Sequence, residues 1–156
     1  MNTLPITHLF WSDLPDGWQD LVRECFHPAY VGICEAYSEI DDVEGKIGLM
    51  IGYGREDELR AWAIHAEGRL VGLLTGKLSE RRFLLYDLFV SPTMRRMGLA
   101  RRLVIEAMQA FDVDEVTAEV NRANVASQAL FQSLGFSATR ASDWYVLHPP
   151  KKDDHV

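Results

Sequence analysis

The stretch from Leu84 to Arg102 constrains the fold more than any other part of this chain. An apolar run ending at Val90 leads through a Ser91-Pro92 turn into basic residues around Gly98, where a helical pattern begins. A strand that hands over so abruptly to a helix belongs to a layered α/β arrangement, with the helix packed back on the sheet. The same junction suits an anion such as a pyrophosphate. The first turn of a helix exposes N–H groups that lack an intrahelical acceptor, and the aligned peptide dipoles place partial positive charge there. Gly98 and Ala100 are small enough to let phosphates approach the main chain.

The remaining elements supply the other layers. Ile6 to Phe10 reads as a strand, and Ser12 or Asp13 caps a helix carrying Trp18, Leu21, Val22 and Phe26 on one side. A second helical segment covers Ala29 to Ser38. Residues 40 to 58, punctuated by Gly45, Gly48, Gly52 and Gly54, follow neither period and are expected to form a mobile loop or a short irregular helix. Leu59 to Ala66, the turn Glu67-Gly68, and Leu70 to Leu78 read as a hairpin, with a third antiparallel strand at Phe83 to Val90. Leu99, Ala100, Leu103, Val104, Ala107, Met108 and Phe111 recur on one helical face. Val116 to Val120 form a strand, and Asn124 caps a helix striped by Val125, Ala126, Ala129, Leu130 and Leu134 that stops at Gly135. Trp144 to Leu147 give the last strand.

The passage from Phe83 through Val120 is long enough to cross over between two parallel strands. The sheet is therefore expected to be mixed, mostly antiparallel and twisted, with six or seven strands and helices on both faces. At 156 residues the chain supports one core. We expect a single domain over residues 3–148 and a flexible C-terminal tail over 149–156, where Pro149-Pro150 and charges interrupt any periodicity.

A net charge of −7 argues against general nucleic-acid binding and suits a cationic partner. Glu35, Glu39, Asp41, Asp42 and Glu44 form either an attractive patch for an amine or a solvated loop. No stretch approaches the roughly 20 apolar residues of a membrane span, and Asp13, Asp16 and Asp20 stand where a leader would be basic and then apolar. A cytoplasmic protein without membrane association is expected. Cys25 and Cys34 lack CxxC spacing and the companions of a zinc site, so reduced structural thiols and no metal are expected. Gly72 to Lys77 falls one residue short of a P-loop, and no Gly-x-Gly-x-x-Gly fingerprint occurs.

Arg95-Arg96-Met97-Gly98-Leu99-Ala100, set between an Asp87-Leu88-Phe89-Val90-Ser91-Pro92 strand end and an amphipathic helix, resembles the cofactor signature of the GNAT superfamily of acyl-CoA-dependent N-acetyltransferases. That signature reads Gln or Arg, two variable residues, Gly, one variable residue, then Gly or Ala. The run from Asn124 to Phe136 resembles the same family's asparagine-led helix ending in Gly-Phe. The likeness covers about residues 59 to 147, and the N-terminal third only in helix order.

The resemblance implies a single-domain GNAT-like fold with acetyl-CoA as co-substrate. It places Arg95, Arg96, Met97, Gly98, Leu99, Ala100 and Arg101 around the CoA pyrophosphate, which main-chain N–H groups from Arg96 to Arg101 would contact. It sets Asn124 and Phe131 along the pantetheine arm. It further implies that the strand diverges from its neighbour at a bulge, leaving main-chain groups of Leu88 and Val90 free for the pantetheine and the acetyl carbonyl. An N–H of this kind is worth roughly 3 to 4 kcal/mol in other enzymes. For Arg95, Arg96, Arg101 and Arg102 a solvated basic cluster is the alternative, although a helix start does not favour positive side chains.

The implied reaction is direct transfer of acetyl to a primary amine of a small molecule or peptide. An alkyl amine has a pKa near about 10.4, so a base or water chain must take its proton. Asp87 and Glu119 are the candidate bases, because a carboxylate within a central strand needs a partner or a function. Asp87 could equally pair with Arg81 or Arg82, and His65 near a hairpin turn is more often structural. Many family members carry a tyrosine acid where this chain has Phe131. Tyr145, Tyr86 or an N-terminal tyrosine could replace it, or the thiolate, with a pKa near about 8.5, could leave unaided. A non-catalytic acyl-CoA-binding or sensing module is the alternative function, and a homodimer is left open.

Overall fold

The computed structural model describes residues 3–26, 42–53, 59–120, 124–139 and 144–148. At its centre β2 (Leu59–Ala66) and β3 (Arg69–Ser79) form a hairpin closed by Glu67 and Gly68, both at positive φ (52° and 78°). Two such residues twist the turn in the sense that the flanking strands require. β4 (Arg82–Val90) returns antiparallel to β3, and β5 (Glu115–Glu119) joins β4 in parallel after the α3 crossover (Leu99–Ala110). With β1 (Ile6–Phe10), β6 (Ser137–Ala138) and β7 (Trp144–Leu147), the sheet has seven strands in the order β1-β2-β3-β4-β5-β7-β6. The pairing is mostly antiparallel, as the sequence reading expects.

Helices cover both faces. α3 buries Leu99, Leu103, Val104 and Ala107 in a core with Trp62, Ile64, Leu74, Phe83 and Leu85, which Phe131 of α4 (Val125–Ser133) joins. On the opposite face, α1 (Trp18–Cys25) buries Leu21 and Val22, and α2 (Val43–Tyr53) buries Ile47 and Met50. Gly76 of β3 leaves room for the Phe83 ring of β4, since a Cβ there would lie 2.3 Å from Phe83 Cζ and 2.8 Å from the Leu84 carbonyl oxygen.

One N-terminal expectation is corrected and another is resolved. Trp11–Asp13 makes only a single 3-10 turn, because Pro15 forces Leu14 out of the helical region (ψ 135°), and α1 starts at Trp18 behind a left-handed Gly17. Of the two alternatives for residues 40 to 58, a mobile loop or a short irregular helix, residues 43–53 take the helical one, as a regular α-helix of 11 residues. Its three glycines disfavour it by about 1 kcal/mol each. Ile47 and Met50 offset this by packing against Trp11, Val22 and Leu59, and Asp42 Oδ1 accepts the Gly45 N–H at 2.7 Å. The helix expected over Ala29–Ser38, Cys34, the acidic residues Glu35, Glu39 and Asp41, and the tail lie outside the described residues.

Candidate active site

The pairing of β4 with β5 runs from Arg82↔Glu115 to Leu85↔Ala118 and ends there, while β4 continues to Val90. The break coincides with a bulge. On the β3 side Gly76 faces Leu85 and Thr75 faces Asp87, which leaves Tyr86 as an extra residue. The bulge also shifts the phase of the strand. Phe83, Leu85, Leu88 and Val90 pack with the α3 core, whereas Tyr86 and Phe89 pack with the core beneath α1 and α2.

Beyond the bulge, the Ser91 N–H donates to the Val71 carbonyl at 2.8 Å. In an antiparallel ladder the N–H and C=O of one residue point to the same side, and the side alternates along the strand. Val90, paired with Gly72, therefore turns both main-chain groups away from β3, and so does Leu88, two residues earlier. They face the fork where β5 has parted from β4. The Val90 carbonyl accepts the Cys25 thiol at 3.2 Å and Arg95 Nε at 3.3 Å. Burial pushes the Cys25 thiol up from its ordinary range, which keeps it protonated as a donor.

The fork leads into the start of α3. Pro92–Met94 form a 3-10 turn, then Arg96 (φ 66°) and Gly98 (φ 77°) take left-handed conformations before the first helical bond, from the Arg102 N–H to the Gly98 carbonyl at 3.0 Å. Arg95, Arg96, Met97 and Gly98 are exposed, and nothing lies within 4 Å of the position a Gly98 Cβ would occupy. The basic residues divide. Arg95 turns back to Val90, Arg101 donates to Ser133 Oγ at 3.0 Å, and Arg102 reaches the Leu4 carbonyl, tying α3 to the chain before β1. Asn124 caps α4 by accepting the Ser127 N–H at 3.2 Å, and Phe131 is buried edge-on to Phe136 at 5.1 Å.

Asp87 sits on the α1–α2 side of the sheet. Its side chain is 3% exposed, with Oδ1 2.6 Å from Lys46 Nζ of α2 and Oδ2 accepting the Thr75 hydroxyl at 3.0 Å. Arg81 and Arg82 do not reach it. They pair with Asp114 and Glu115 at the other end of β4. Glu119 ends β5 one residue past the fork. Val116 and Ala118 pack in the α3 core, so strand alternation turns Glu119 to the opposite face, the one Asp87 occupies. Tyr86 also lies on that face, Tyr145 lies in β7 opposite Ala118, and His65 sits half-buried at the β2–β3 bulge. Among the described residues, no group of three or more His, Cys, Asp or Glu could hold a metal, and no helix is long and apolar enough to cross a membrane.

The end of α1 contributes residues that sequence reasoning missed. Glu24 Oε1 accepts the Ser91 hydroxyl at 2.6 Å and Oε2 accepts Arg69 Nη2 at 2.7 Å, while Ser91 Oγ lies 3.1 Å from Thr93 Oγ1. The Ser91 hydrogen bond, with help from Arg69 and against some burial, holds the Glu24 carboxyl below its ordinary range. Glu24 and Cys25 thus grip the junction between β4 and the loop before α3. No periodicity or motif marks Glu24, Lys46 or Thr75, because their roles arise from contacts between distant segments.

The Acetyltransferase (GNAT) family model matches residues 5–136. Human (Homo sapiens) N-acetyltransferase 8 is 33% identical over 94 residues, which cover 54% of this chain and 41% of that protein's length. An acetyltransferase from Thermus thermophilus superposes with a TM-score of 0.69 at 21% identity, covering 95% of this chain and 98% of that one. The PaiA N-acetyltransferase from Thermoplasma acidophilum, solved in complex with coenzyme A, does so with a TM-score of 0.66 at 19% identity, covering 93% and 97%. Both structures share this fold. The forked strands, the left-handed approach to α3 and the family match lead to one conclusion: the chain belongs to the GNAT family of acetyltransferases.

Proposed function

We propose that this chain transfers an acetyl group from acetyl-CoA directly to a primary amine of a small molecule or peptide. The observation that carries this reading is the fork past Leu85 and Ala118, lined by outward-facing main-chain groups of Leu88 and Val90 and opening onto the start of α3. Supporting it are the family match and the coenzyme A in the Thermoplasma complex. The groups present fit such a co-substrate. The main-chain N–H groups from Arg96 to Arg101, which precede the first intrahelical bond of α3, with Arg95 and Arg96 beside them and open space at Gly98, would take its diphosphate. Leu88 offers a donor and an acceptor and Val90 its N–H to the amide-bearing arm, flanked by Asn124 and Phe131, while the Val90 carbonyl is already held by Cys25 and Arg95.

Acetyl-CoA supplies an activated acyl carbon. The chain supplies orientation and proton transfer. The Val90 N–H is aimed where the acetyl oxygen would lie, and the amine would approach from the face carrying Asp87 and Glu119, one of which takes its proton directly or through water. With Phe131 buried and lacking a hydroxyl, the departing thiolate takes its proton from Tyr86, Tyr145 or solvent. We place the protein in the cytoplasm.

Acetyl-CoA binding by calorimetry and thiol release across a panel of primary amines test this reading. Gly98→Glu puts negative charge and a side chain at a left-handed position in the diphosphate site, and should weaken acetyl-CoA binding at least about tenfold. Equal binding by wild type and Gly98→Glu would remove the site. Binding without turnover of any amine would leave a non-catalytic acyl-CoA module.

A further inference from the structure

Lys46 contributes an ammonium of its own to the face where the acceptor amine would bind. It stands on the first turns of α2, with its side chain 17% exposed and Nζ 2.6 Å from Asp87 Oδ1. Nearby charges are matched elsewhere. Glu44 and Asp20 hold Arg23, and Glu24 holds Arg69 and the Ser91 hydroxyl. Thr75 fills the second oxygen of Asp87. The site is therefore a buried carboxylate, braced by a hydroxyl and holding a primary ammonium on a flexible four-carbon stem, two residues past the end of the β4–β5 ladder.

A primary ammonium is also the form in which an alkyl amine arrives at neutral pH. We propose that Lys46 occupies the subsite for the acceptor's ammonium and that the substrate enters by displacing it from Asp87. The proposal rests on the acetyltransfer reading given above. A tethered side chain competes at an effective concentration in the millimolar range. Simple monoamines that bind a lone carboxylate no better than this are held off. Acceptors with a second positive charge or further contacts win the site, so Lys46 selects for amines carrying more than a bare ammonium. Removing one member of a buried pair leaves the other charge uncompensated, which makes the vacated site attractive to an external cation.

Lys46→Ala leaves room for n-propylammonium, whose three carbons and charge match the part of the side chain removed. At ten times its dissociation constant, n-propylammonium should raise the Tm of Lys46→Ala by roughly 3–6 °C more than that of the wild type, and should leave Lys46→Ala/Asp87→Asn unshifted. Equal shifts in all three proteins would overturn the proposal. Should Lys46→Ala be too unstable to handle alone, Lys46→Gln keeps a donor for Asp87 without the charge. Its KM for simple monoamines should fall roughly tenfold while its KM for acetyl-CoA stays unchanged. An amine KM that is unchanged or raised refutes displacement. The thermal measurement needs no turnover. Ammonium rescue without thiol release from any amine would sink the acetyltransfer reading and keep the cation site, whereas turnover without rescue would do the reverse.

Discussion

Adding a single methyl group at Gly76 should cost this protein a sizeable part of its stability. The Cβ of Gly76→Ala would lie 2.3 Å from Phe83 Cζ, 2.9 Å from Phe83 Cε1 and 2.8 Å from the Leu84 carbonyl oxygen. Non-bonded carbons prefer about 3.5–4.0 Å, so the overlap with the ring exceeds ~1 Å. The ring cannot swing clear. Phe83 is fully buried, with Trp62 edge-on at 5.4 Å and Phe111 at 5.9 Å. The carbonyl belongs to the neighbouring strand, so relief requires β3 and β4 to separate. Overpacking of this severity costs about 3 kcal/mol or more, and the stiffer unfolded chain of an alanine variant adds at most about 1 kcal/mol against it. A net loss of about 2–3 kcal/mol corresponds to a fall in Tm of roughly 4–12 °C in a domain of this size. Thr75 is the adjacent residue and braces Asp87, so acetyl transfer should fall with it. Calorimetry and urea unfolding measure the loss. A Tm within about 2 °C of the wild type, at an unchanged urea dependence, would refute the steric reasoning.

The opposite sign is expected for Gly48→Ala. No atom lies within 4 Å of its would-be Cβ inside α2, so the variant should gain about 0.4–1 kcal/mol in urea unfolding. Asn124→Ala removes the cap from the Ser127 N–H and should cost about 0.5–2 kcal/mol, read by the same assay. Glu24 has a folded carboxyl held below its ordinary value of 4.5, chiefly by the Ser91 hydroxyl. The stability it contributes is present above about that pH and drains away as pH falls through the folded value. Urea midpoints at pH 7 and pH 3.5 should therefore differ less in Glu24→Gln than in the wild type.

The sheet centre is legible in the sequence because β2, β3 and β4 are consecutive and their turns carry local signals such as Glu67-Gly68. α3 and α4 are legible from their stripes, the Asn124 cap and the left-handed Gly135 (φ 95°) that stops α4. α2 is not, since Ile47 and Met50 are fixed by Trp11 and Leu59, which flank the helix in sequence but meet it only in the folded core. β6, with two residues, is too short to show a period. The bulge at Tyr86 is implied by the family resemblance but leaves no trace in the periodicity, because the run from Phe83 to Val90 is apolar on both faces except at Asp87. Sequence proximity therefore points to the adjacent arginines as partners for Asp87, when the actual partner lies 41 residues away on α2.

The strand order also sets a timetable for assembly. β2, β3 and β4 can zip together over tight turns, at little entropic cost, and form the natural nucleus. β1 is made before its partner β2 and must wait for it, because Ile6 pairs with Ile64 and the Leu4 carbonyl meets Arg102 across 98 residues. During synthesis β1 hangs unpaired until β2 has emerged. In the finished protein β1 is an edge strand held by β2 alone, whereas β3 is paired on both sides, so amide exchange should run faster along β1 than along β3.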